Sequence, residues 1–387
     1  MNIVIYSELT VDPQKGGIER MSVVLADMLF RLGHHIFFIC WHKTSDANLD
    51  YPLSYIPNST WNQENDKFLD NFISENKIDL LINQAAILPR DYRVSLLFRK
   101  KNVPIIQVFH NSLYGMFSTI SILDKLSHHL PVIQKITSTK AVRNVIIHLF
   151  KLKYGHYFKE LGQTDDYMVL LSDKYKDEYV DFCQPKSLRN LYVISNPITF
   201  SIDYCDYKKD KIILFCGRMG SQKRPLAALK IWEKLYVQNP EWKMIMLGDG
   251  EYLESVRSYA TQHHIKNIEI LGKQNPIDYY KKASILCMTS AYEGLPLVIL
   301  EAFNYGCVPI LYNTFASASD IVTDGKDGVL VDANTEETFV VKLQELMENK
   351  SMREDLRKGR LDKLSKYSPE KVTDLWNKLL MKIERYA

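Results

Sequence analysis

The chain has 387 residues, of which 46% are hydrophobic and 25% charged, so it is long enough for two domains with sizeable cores. Its formal net charge of +3 is too small for a dedicated nucleic-acid binder, and no nucleic-acid partner is expected. No run of about 18 apolar residues indicates a transmembrane helix, and the N-terminus lacks the basic leader of a signal peptide. The scattered cysteines, with no Cys-x-x-Cys pair, favour a reducing cytoplasm.

The N-terminal stretch predicts a strand, a loop, a helix and a second strand. Asn2–Tyr6 and His35–Trp41 are the strand-like runs, and helical spacing of apolar residues begins at Ile18. Gly16 and Gly17 precede that helix, where glycines allow a phosphate or a sugar to approach the backbone closely. A purely structural turn is the other interpretation. Because Gly-x-Gly-x-x-Gly is absent, a nicotinamide or flavin cofactor is disfavoured.

A histidine follows one of the next strands directly. Residues 77–83 and 103–109 are apolar runs typical of buried parallel strands, and His110 comes straight after the second run. Polar residues at the carboxyl ends of parallel strands commonly line the ligand site of an α/β sheet. His110 is therefore a candidate site residue, with a structural histidine as the alternative.

Residues 121–160 form a basic region in which apolar residues are interleaved. The region is rich in Lys, Arg and His and holds only Asp124 and Glu160 as acids. It predicts either solvated helices covering the N-terminal half or a face that contacts an anionic membrane surface. A further strand is predicted at 166–172, residues 191–198 close the first half, and a linker is predicted at 199–210.

The second half opens with a strand that ends in a basic loop. Residues 211–216 are apolar, and Gly217, Arg218 and Lys223 precede a helix that starts at Pro225. Cations between a strand end and a helix N-terminus are well placed to bind a diphosphate. The alternative is a pair of solvated surface cations.

Further strands are predicted at 242–250 and 268–272, with a short helix at 277–282. Lys273 follows the second of these strands, where it is a candidate neighbour of a nucleotide base. Amphipathic helices are predicted at 335–349 and 352–363, and a final helix starts at Pro369.

The carboxylate of Glu301 lies on a predicted apolar helix between two predicted buried strands. The strands cover 283–289 and 307–311, Pro296 suits the first helical turn, and Gly306 suits the helix end. Glu301 is costly to bury on such a helix unless it binds something. At the ligand crevice it would accept hydrogen bonds from two vicinal hydroxyls, as a ribose presents them, while the amides around Gly294 and Leu295 would receive an anion. A solvated stripe on the helix is the alternative.

Glu293 and Glu301 are separated by seven residues, and Gly-Leu-Pro follows the first of them. This pair resembles the Glu-x7-Glu motif of the retaining glycosyltransferases of family 4. The Gly217-Arg218 loop with Lys223 and the Gly248-Asp-Gly250 turn also resemble that family, although Arg224 stands where asparagine is common.

The resemblance implies an α/β GT-B fold with two Rossmann-like, doubly wound domains facing a central cleft. Residues 1–198 would form an acceptor-binding domain, 199–210 the linker, and 211–366 the nucleotide-sugar-binding domain. Residues 367–387 would form a helix that crosses back to the first domain.

The resemblance also implies the role of each candidate residue. Arg218 and Lys223 would neutralise the diphosphate, and Glu301 would hold the ribose. Glu293, with the backbone of Gly294, Leu295, Pro296 and Leu297, would hold the donor sugar and the distal phosphate. Gly16, Gly17 and His110 would approach the donor from the first domain. No Asp-x-Asp stands at a strand end, so no metal is expected.

The expected activity is transfer of a sugar from a nucleotide sugar to a glycan, with UDP as the commonest nucleotide. The basic region at 121–160 favours a lipid-linked glycan of a cell-envelope polysaccharide and a peripheral position on the cytoplasmic membrane. The motif pairing argues against a nucleotide-sugar epimerase, and the length argues against a sugar phosphorylase. A non-catalytic nucleotide-sugar-binding scaffold is the remaining alternative.

Overall fold

The computed structural model describes residues 1–114, 140–332 and 335–386. The chain divides into two compact units. The first contains Met1–Leu113, Phe150–Thr199 and Ser368–Ala387. Of the described residues, the second contains Tyr114, residues 140–149 and Phe200–Tyr367. Residues 121–139 of the basic region lie outside the described residues.

The first unit is built on a parallel sheet with strand order β3-β2-β1-β4-β5-β6-β7. Its strands are β1 (Asn2–Leu9), β2 (His35–His42), β3 (Leu53–Tyr55), β4 (Leu80–Asn83), β5 (Ile105–Phe109), β6 (Tyr167–Leu170) and β7 (Leu191–Val193). The helices that precede β8 (Asp210–Cys216) in the chain are α1 (Gly17–Arg31), α2 (Gln63–Glu75), α3 (Tyr92–Lys100), α4 (Lys140–Gly162) and α5 (Lys176–Cys183). Residues 140–149 of α4 belong to the second unit. The central strands are apolar on both faces because helices cover both faces.

The second unit has a parallel sheet with strand order β10-β9-β8-β11-β12-β13. Its strands are β8 (Asp210–Cys216), β9 (Lys243–Leu247), β10 (Ile268–Gly272), β11 (Ala283–Met288), β12 (Val308–Tyr312) and β13 (Val329–Val331). Its helices are α6 (Pro225–Glu233), α7 (Leu253–Gln262), α8 (Ile277–Lys282), α9 (Leu297–Asn304), α10 (Ala318–Ile321), α11 (Glu336–Glu348), α12 (Lys350–Lys358) and α13 (Arg360–Ser365). The order reverses between β8 and β11, and ligands of doubly wound sheets bind at such a reversal.

The last helix, α14 (Pro369–Tyr386), belongs to the first unit. Its apolar face joins the core formed by one side of the first sheet and α1. The buried residues of α14 in that core are Val372, Trp376, Leu379, Leu380 and Ile383. The first unit is therefore assembled from the two ends of the chain.

Three local features differ from the sequence-based expectations. The helix expected at 352–363 is interrupted at Gly359, a residue of low helix propensity that lies against the backbone of Lys326. Pro296 does not lie in the first turn of a helix but caps α9 from an extended conformation. The edge strand β3 was not predicted, because three half-buried residues give too short a pattern.

The segment expected to be a linker is bonded to the second unit along most of its length. Asn304 accepts a hydrogen bond from the amide of Asp203 at 2.8 Å. Arg357 pairs with Asp206 and also donates to the carbonyl of Tyr207. Residues 203–209 are therefore part of the second unit rather than a free connection.

Candidate donor site

The loops that follow β8 and β9 lie against each other at the carboxyl end of the second sheet. The amide of Gly217 donates to Leu247 O at 3.0 Å, and the amide of Met219 donates to Asp249 O at 2.8 Å. Gly248 has φ of 136°, and a Cβ there would lie 1.8 Å from Gly217 O. Only glycine allows this approach, so the Gly-Asp-Gly turn fixes the position of the Gly217-Arg218 loop.

Lys223 and Glu293 form an ion pair that is largely removed from solvent. Lys223 Nζ lies 2.5 Å from Glu293 Oε1, and the two side chains are 17% and 8% exposed. Gln222 Nε2 donates to Glu293 Oε2 at 3.3 Å and to the carbonyl of Tyr292 at 3.0 Å. The structure thus brings together two of the predicted site residues, although 70 positions separate them in the sequence.

The loop after β11 is also tied to the basic loop. Thr289, which is fully buried, donates from its hydroxyl to the carbonyls of Lys223 at 3.0 Å and Arg224 at 2.9 Å. The amide of Ala291 donates to Gln222 O at 2.8 Å. Arg224 adopts a left-handed conformation with φ of 50°, which turns the chain into α6. Sequence reasoning missed Gln222, which is next to Lys223, and Thr289, which is the last residue of the strand predicted at 283–289.

The side chain of Arg218 is much more exposed to solvent than that of Lys223. Its side chain is 78% exposed and pairs with Glu251 at 3.3 Å. An exposed ion pair of this kind contributes little to stability. The guanidinium can therefore change partners when a ligand anion arrives. Lys273 is exposed just after β10.

Glu301 lies on α9 and is half-buried. The hydroxyl of Tyr280, on α8, donates to Glu301 Oε2 at 3.1 Å. Tyr280 is 1% exposed, and burial raises the pKa of its hydroxyl well above the usual range. The hydroxyl therefore remains protonated. The loop that precedes α9 is held by Ser317, whose hydroxyl donates to Gly294 O at 2.6 Å.

The predicted site residues of the first unit lie at the carboxyl end of its sheet. His110 follows β5, is 8% exposed, and makes a short hydrogen bond through Nε2 with Gln84 Oε1. Burial lowers the pKa of His110 to about 4, so the ring is neutral near pH 7. A cavity of about 20 Å³, enough for one water molecule, is lined by His110, Gln84, Asn196 and Trp376 among others.

Gly16 caps α1, and Gly17 is its first residue. A Cβ at Gly16 would lie 2.0 Å from Glu19 Oε2, whereas a Cβ at Gly17 would meet no atom within 4 Å. The carboxylate of Glu19 thus lies over the helix N-terminus. A phosphate would use these amides only after that carboxylate moves aside.

Among the described residues, no three His, Cys, Asp or Glu side chains are grouped as metal ligands. Over the same ranges, no helix is long and apolar enough to cross a bilayer.

The whole chain has the fold of known glycosyltransferases. It superimposes on the pneumococcal O-GlcNAc transferase GtfA, solved in complex with UDP and GlcNAc, with a TM-score of 0.73. The match covers 99% of each chain at 11% sequence identity. Together with the two parallel-sheet units described above, this establishes the GT-B fold class.

The sequence comparisons match the second unit to a family model. Residues 203–360 match the model described as glycosyl transferases group 1. It is 32% identical over 206 residues to the amylovoran biosynthesis glycosyltransferase AmsD of Erwinia amylovora, covering 50% of this chain and 57% of that protein.

A second curated relative comes from Campylobacter jejuni. It is the GalNAc-alpha-(1->4)-GalNAc-alpha-(1->3)-diNAcBac-PP-undecaprenol alpha-1,4-N-acetyl-D-galactosaminyltransferase, 26% identical over 202 residues. That match covers 51% of this chain and 56% of the relative. The chain thus spans about half the length of the curated relatives it matches.

Proposed function

We propose that the protein is a retaining glycosyltransferase that moves a sugar from a nucleotide sugar to a glycan acceptor. The observation that carries the proposal is the largely buried Lys223–Glu293 pair, at the strand-order reversal of the second sheet. A cation and a carboxylate with oriented amides nearby are suited to a diphosphate and to the hydroxyls of a sugar.

In this proposal the diphosphate lies between Arg218 and Lys223. Lys223 is already positioned by Glu293, whereas the exposed Arg218 leaves Glu251 to contact the phosphates. Two cations fixed beside the departing diphosphate stabilise the charge that develops on it, so no divalent ion is required. Glu293 then accepts hydrogen bonds from the donor sugar, and Glu301 accepts them from the ribose.

His110, Gly16 and Gly17 are the residues of the first unit that we propose to bind the donor. Because burial lowers the pKa of His110 to about 4, the neutral ring would serve as a hydrogen-bonding group toward the sugar and not as a cation. Gly17 leaves open space at the start of α1, which suits close approach of a phosphate.

The chemistry that we propose is a front-face substitution. The bond from the anomeric carbon to the diphosphate oxygen breaks, and the acceptor oxygen bonds to the same face of that carbon. The acceptor hydroxyl gives its proton to the departing phosphate oxygen. A glycosyl-enzyme intermediate trapped by mass spectrometry would exclude this route.

UDP is proposed as the nucleotide, and a lipid-linked glycan of a cell-envelope polysaccharide as the acceptor. GtfA was solved with UDP, and the name of the Campylobacter relative specifies an undecaprenol-linked glycan. AmsD is named for the biosynthesis of amylovoran. These relatives support the proposal for this chain without identifying its sugar.

A membrane contact is proposed for α4. Val145, Leu149 and Leu152 are 58%, 57% and 71% exposed and lie on one helical face, where His148 and Lys153 are exposed too. An apolar stripe beside the cationic Lys153 suits an anionic lipid surface, which would bring a cytoplasmic enzyme to its acceptor. Co-sedimentation with anionic liposomes at low salt tests it. Leu149→Ser combined with Leu152→Ser should reduce binding, and equal binding to neutral liposomes would contradict it.

The donor site is tested by a thermal-shift panel of UDP, GDP, ADP and their sugars. Wild-type protein should be stabilised by one of these nucleotides, and Glu301→Ala should lose that stabilisation. Glu345→Ala is the matched control, since this carboxylate lies on the surface of the second unit and pairs only locally with Lys342 among the contacts seen. Product analysis with an acceptor then separates an enzyme from a non-catalytic scaffold. Stabilisation by none of the nucleotides would exclude the proposed donor site.

A further inference from the structure

Tyr280 is a buried residue of α8 for which neither the sequence motifs nor the family match supplies a role. We infer that Tyr280 is a positioning residue that orients Glu301 for recognition of the donor's ribose. The inference rests on the proposed function, because it concerns the same nucleotide site. The contact that carries it is the hydrogen bond from the Tyr280 hydroxyl to Glu301 Oε2 at 3.1 Å.

Tyr280 is held in place by one contact on its backbone and one on its ring. Lys209 Nζ donates to three carbonyls, those of Tyr280 at 2.8 Å, Lys281 at 3.0 Å and Tyr305 at 2.5 Å. The ring of Tyr305 stacks on that of Tyr280 with centroids 6.2 Å apart and an interplanar angle of 15°. Since the backbone and the ring are both fixed, the hydroxyl offers its proton from a constant position.

This donor determines how the carboxylate of Glu301 is presented. An ionised carboxylate has about four acceptor positions, and Tyr280 occupies one of those on Oε2. The two vicinal hydroxyls of a ribose would each need one acceptor position on this carboxylate. A carboxylate whose plane is already fixed loses less side-chain freedom when the ribose binds.

The consequence is a specific effect on sugar recognition and not on phosphate binding. If Tyr280 aligns Glu301, loss of its hydroxyl should weaken binding of a ribonucleotide much more than binding of the 2′-deoxyribonucleotide. A merely structural tyrosine would affect both nucleotides alike. The ratio of the two dissociation constants therefore isolates the positioning role.

The experiment is calorimetric titration of UDP and 2′-deoxy-UDP into wild-type protein, Tyr280→Phe, Glu301→Gln and the double variant. Wild-type protein should prefer UDP. Tyr280→Phe should weaken UDP about 10-fold and weaken 2′-deoxy-UDP, which keeps only the 3′-hydroxyl of the pair, distinctly less. In the Glu301→Gln background the same substitution should have little further effect, as expected for two residues acting together.

Tyr305→Phe is the matched control. It removes a hydroxyl from the stacked neighbour, for which no hydrogen bond to Glu301 is observed, so the preference for UDP should not change. Lys209→Met is a second variant that keeps the Tyr280 hydroxyl but releases the helix end. Like Tyr280→Phe, Lys209→Met should reduce the preference for UDP over 2′-deoxy-UDP. The ratio is unaffected by partial unfolding, because both ligands report on the folded fraction.

The outcomes separate the inference from the function on which it rests. If wild-type protein binds neither nucleotide, the proposed donor site and the inference both fail. If wild-type protein prefers UDP and Tyr280→Phe retains the full preference, the inference alone fails. Equal weakening of both nucleotides, or additive effects with Glu301→Gln, would also overturn it.

Discussion

Replacing Lys223 by methionine removes the cation that neutralises Glu293 and keeps most of the packing volume. The two charged atoms are 2.5 Å apart, and Glu293 is 8% exposed, so its carboxylate would be left in a largely dry environment. Removing one partner of a buried ion pair costs about 3–5 kcal/mol. Because Gln222 still donates to Glu293 at 3.3 Å, the expected loss of unfolding free energy is about 3 kcal/mol.

A loss of this size corresponds to a fall in melting temperature of roughly 6–12 °C for a domain of this length. The double variant Lys223→Met with Glu293→Gln has no buried charge at this position. It should recover to within about 1 kcal/mol of wild type, because replacing both partners of a buried pair is often neutral.

The assay is urea unfolding of wild-type protein, the two single variants and the double variant. Lys234→Met is the control, since Lys234 pairs with Glu337 on the surface at 3.1 Å and should contribute less than about 1 kcal/mol. The reasoning is refuted if Lys223→Met unfolds like Lys234→Met. It is equally refuted if the double variant loses the sum of the two single losses.

Three further predictions concern other parts of the two units. His110→Gln should remove a pH dependence: burial lowers the pKa of His110 to about 4, so wild-type stability should fall by about 2 kcal/mol more than the variant's between pH 7 and pH 5, measured by urea unfolding. Wild-type stability falls with pH because the histidine of the unfolded chain is protonated below a pH of about 6.5, whereas the buried histidine of the folded chain stays neutral there. A wild-type loss of stability no larger than the variant's would contradict this prediction. Gly248→Ala should cost about 3 kcal/mol of unfolding free energy and displace the Gly217 loop, whereas Gly325→Ala, at φ of 70° with no neighbour within 4 Å, should cost about 1 kcal/mol; equal losses would show that the clash is relieved. Gly17→Ala should leave the melting temperature unchanged but reduce sugar transfer in a product assay, because the methyl group would obstruct a phosphate; full activity would show that Gly17 is a structural residue.

Much of the fold could be predicted because parallel strands covered on both faces are continuous apolar runs. The runs at 283–289 and 307–311 correspond to β11 and β12, and the run at 103–109 to β5. The edge strand β3 is the counterexample. Its residues are only half-buried, so they carry no apolar run to recognise.

The candidate site was predicted less completely than the fold. The spacing of Glu293 and Glu301 and the basic loop with Lys223 could be recognised as local patterns. The contacts of Gln222, Thr289 and Tyr280 could not, because each depends on which loops the sheet order places side by side. Tyr280 lies 21 residues from Glu301, and no spacing rule relates a short helix to the helix beyond the next strand.

The position of α14 has a consequence for synthesis on the ribosome. Although residues 1–113 and 150–199 of the first unit are synthesised early, the core of that unit requires Trp376 and its neighbours on α14. That core is completed only after residues 372–383 have been synthesised, later than residues 200–367 of the second unit. A nonsense mutation just before Pro369 would therefore leave the early-made unit with an uncovered apolar face, prone to aggregation and to capture by chaperones.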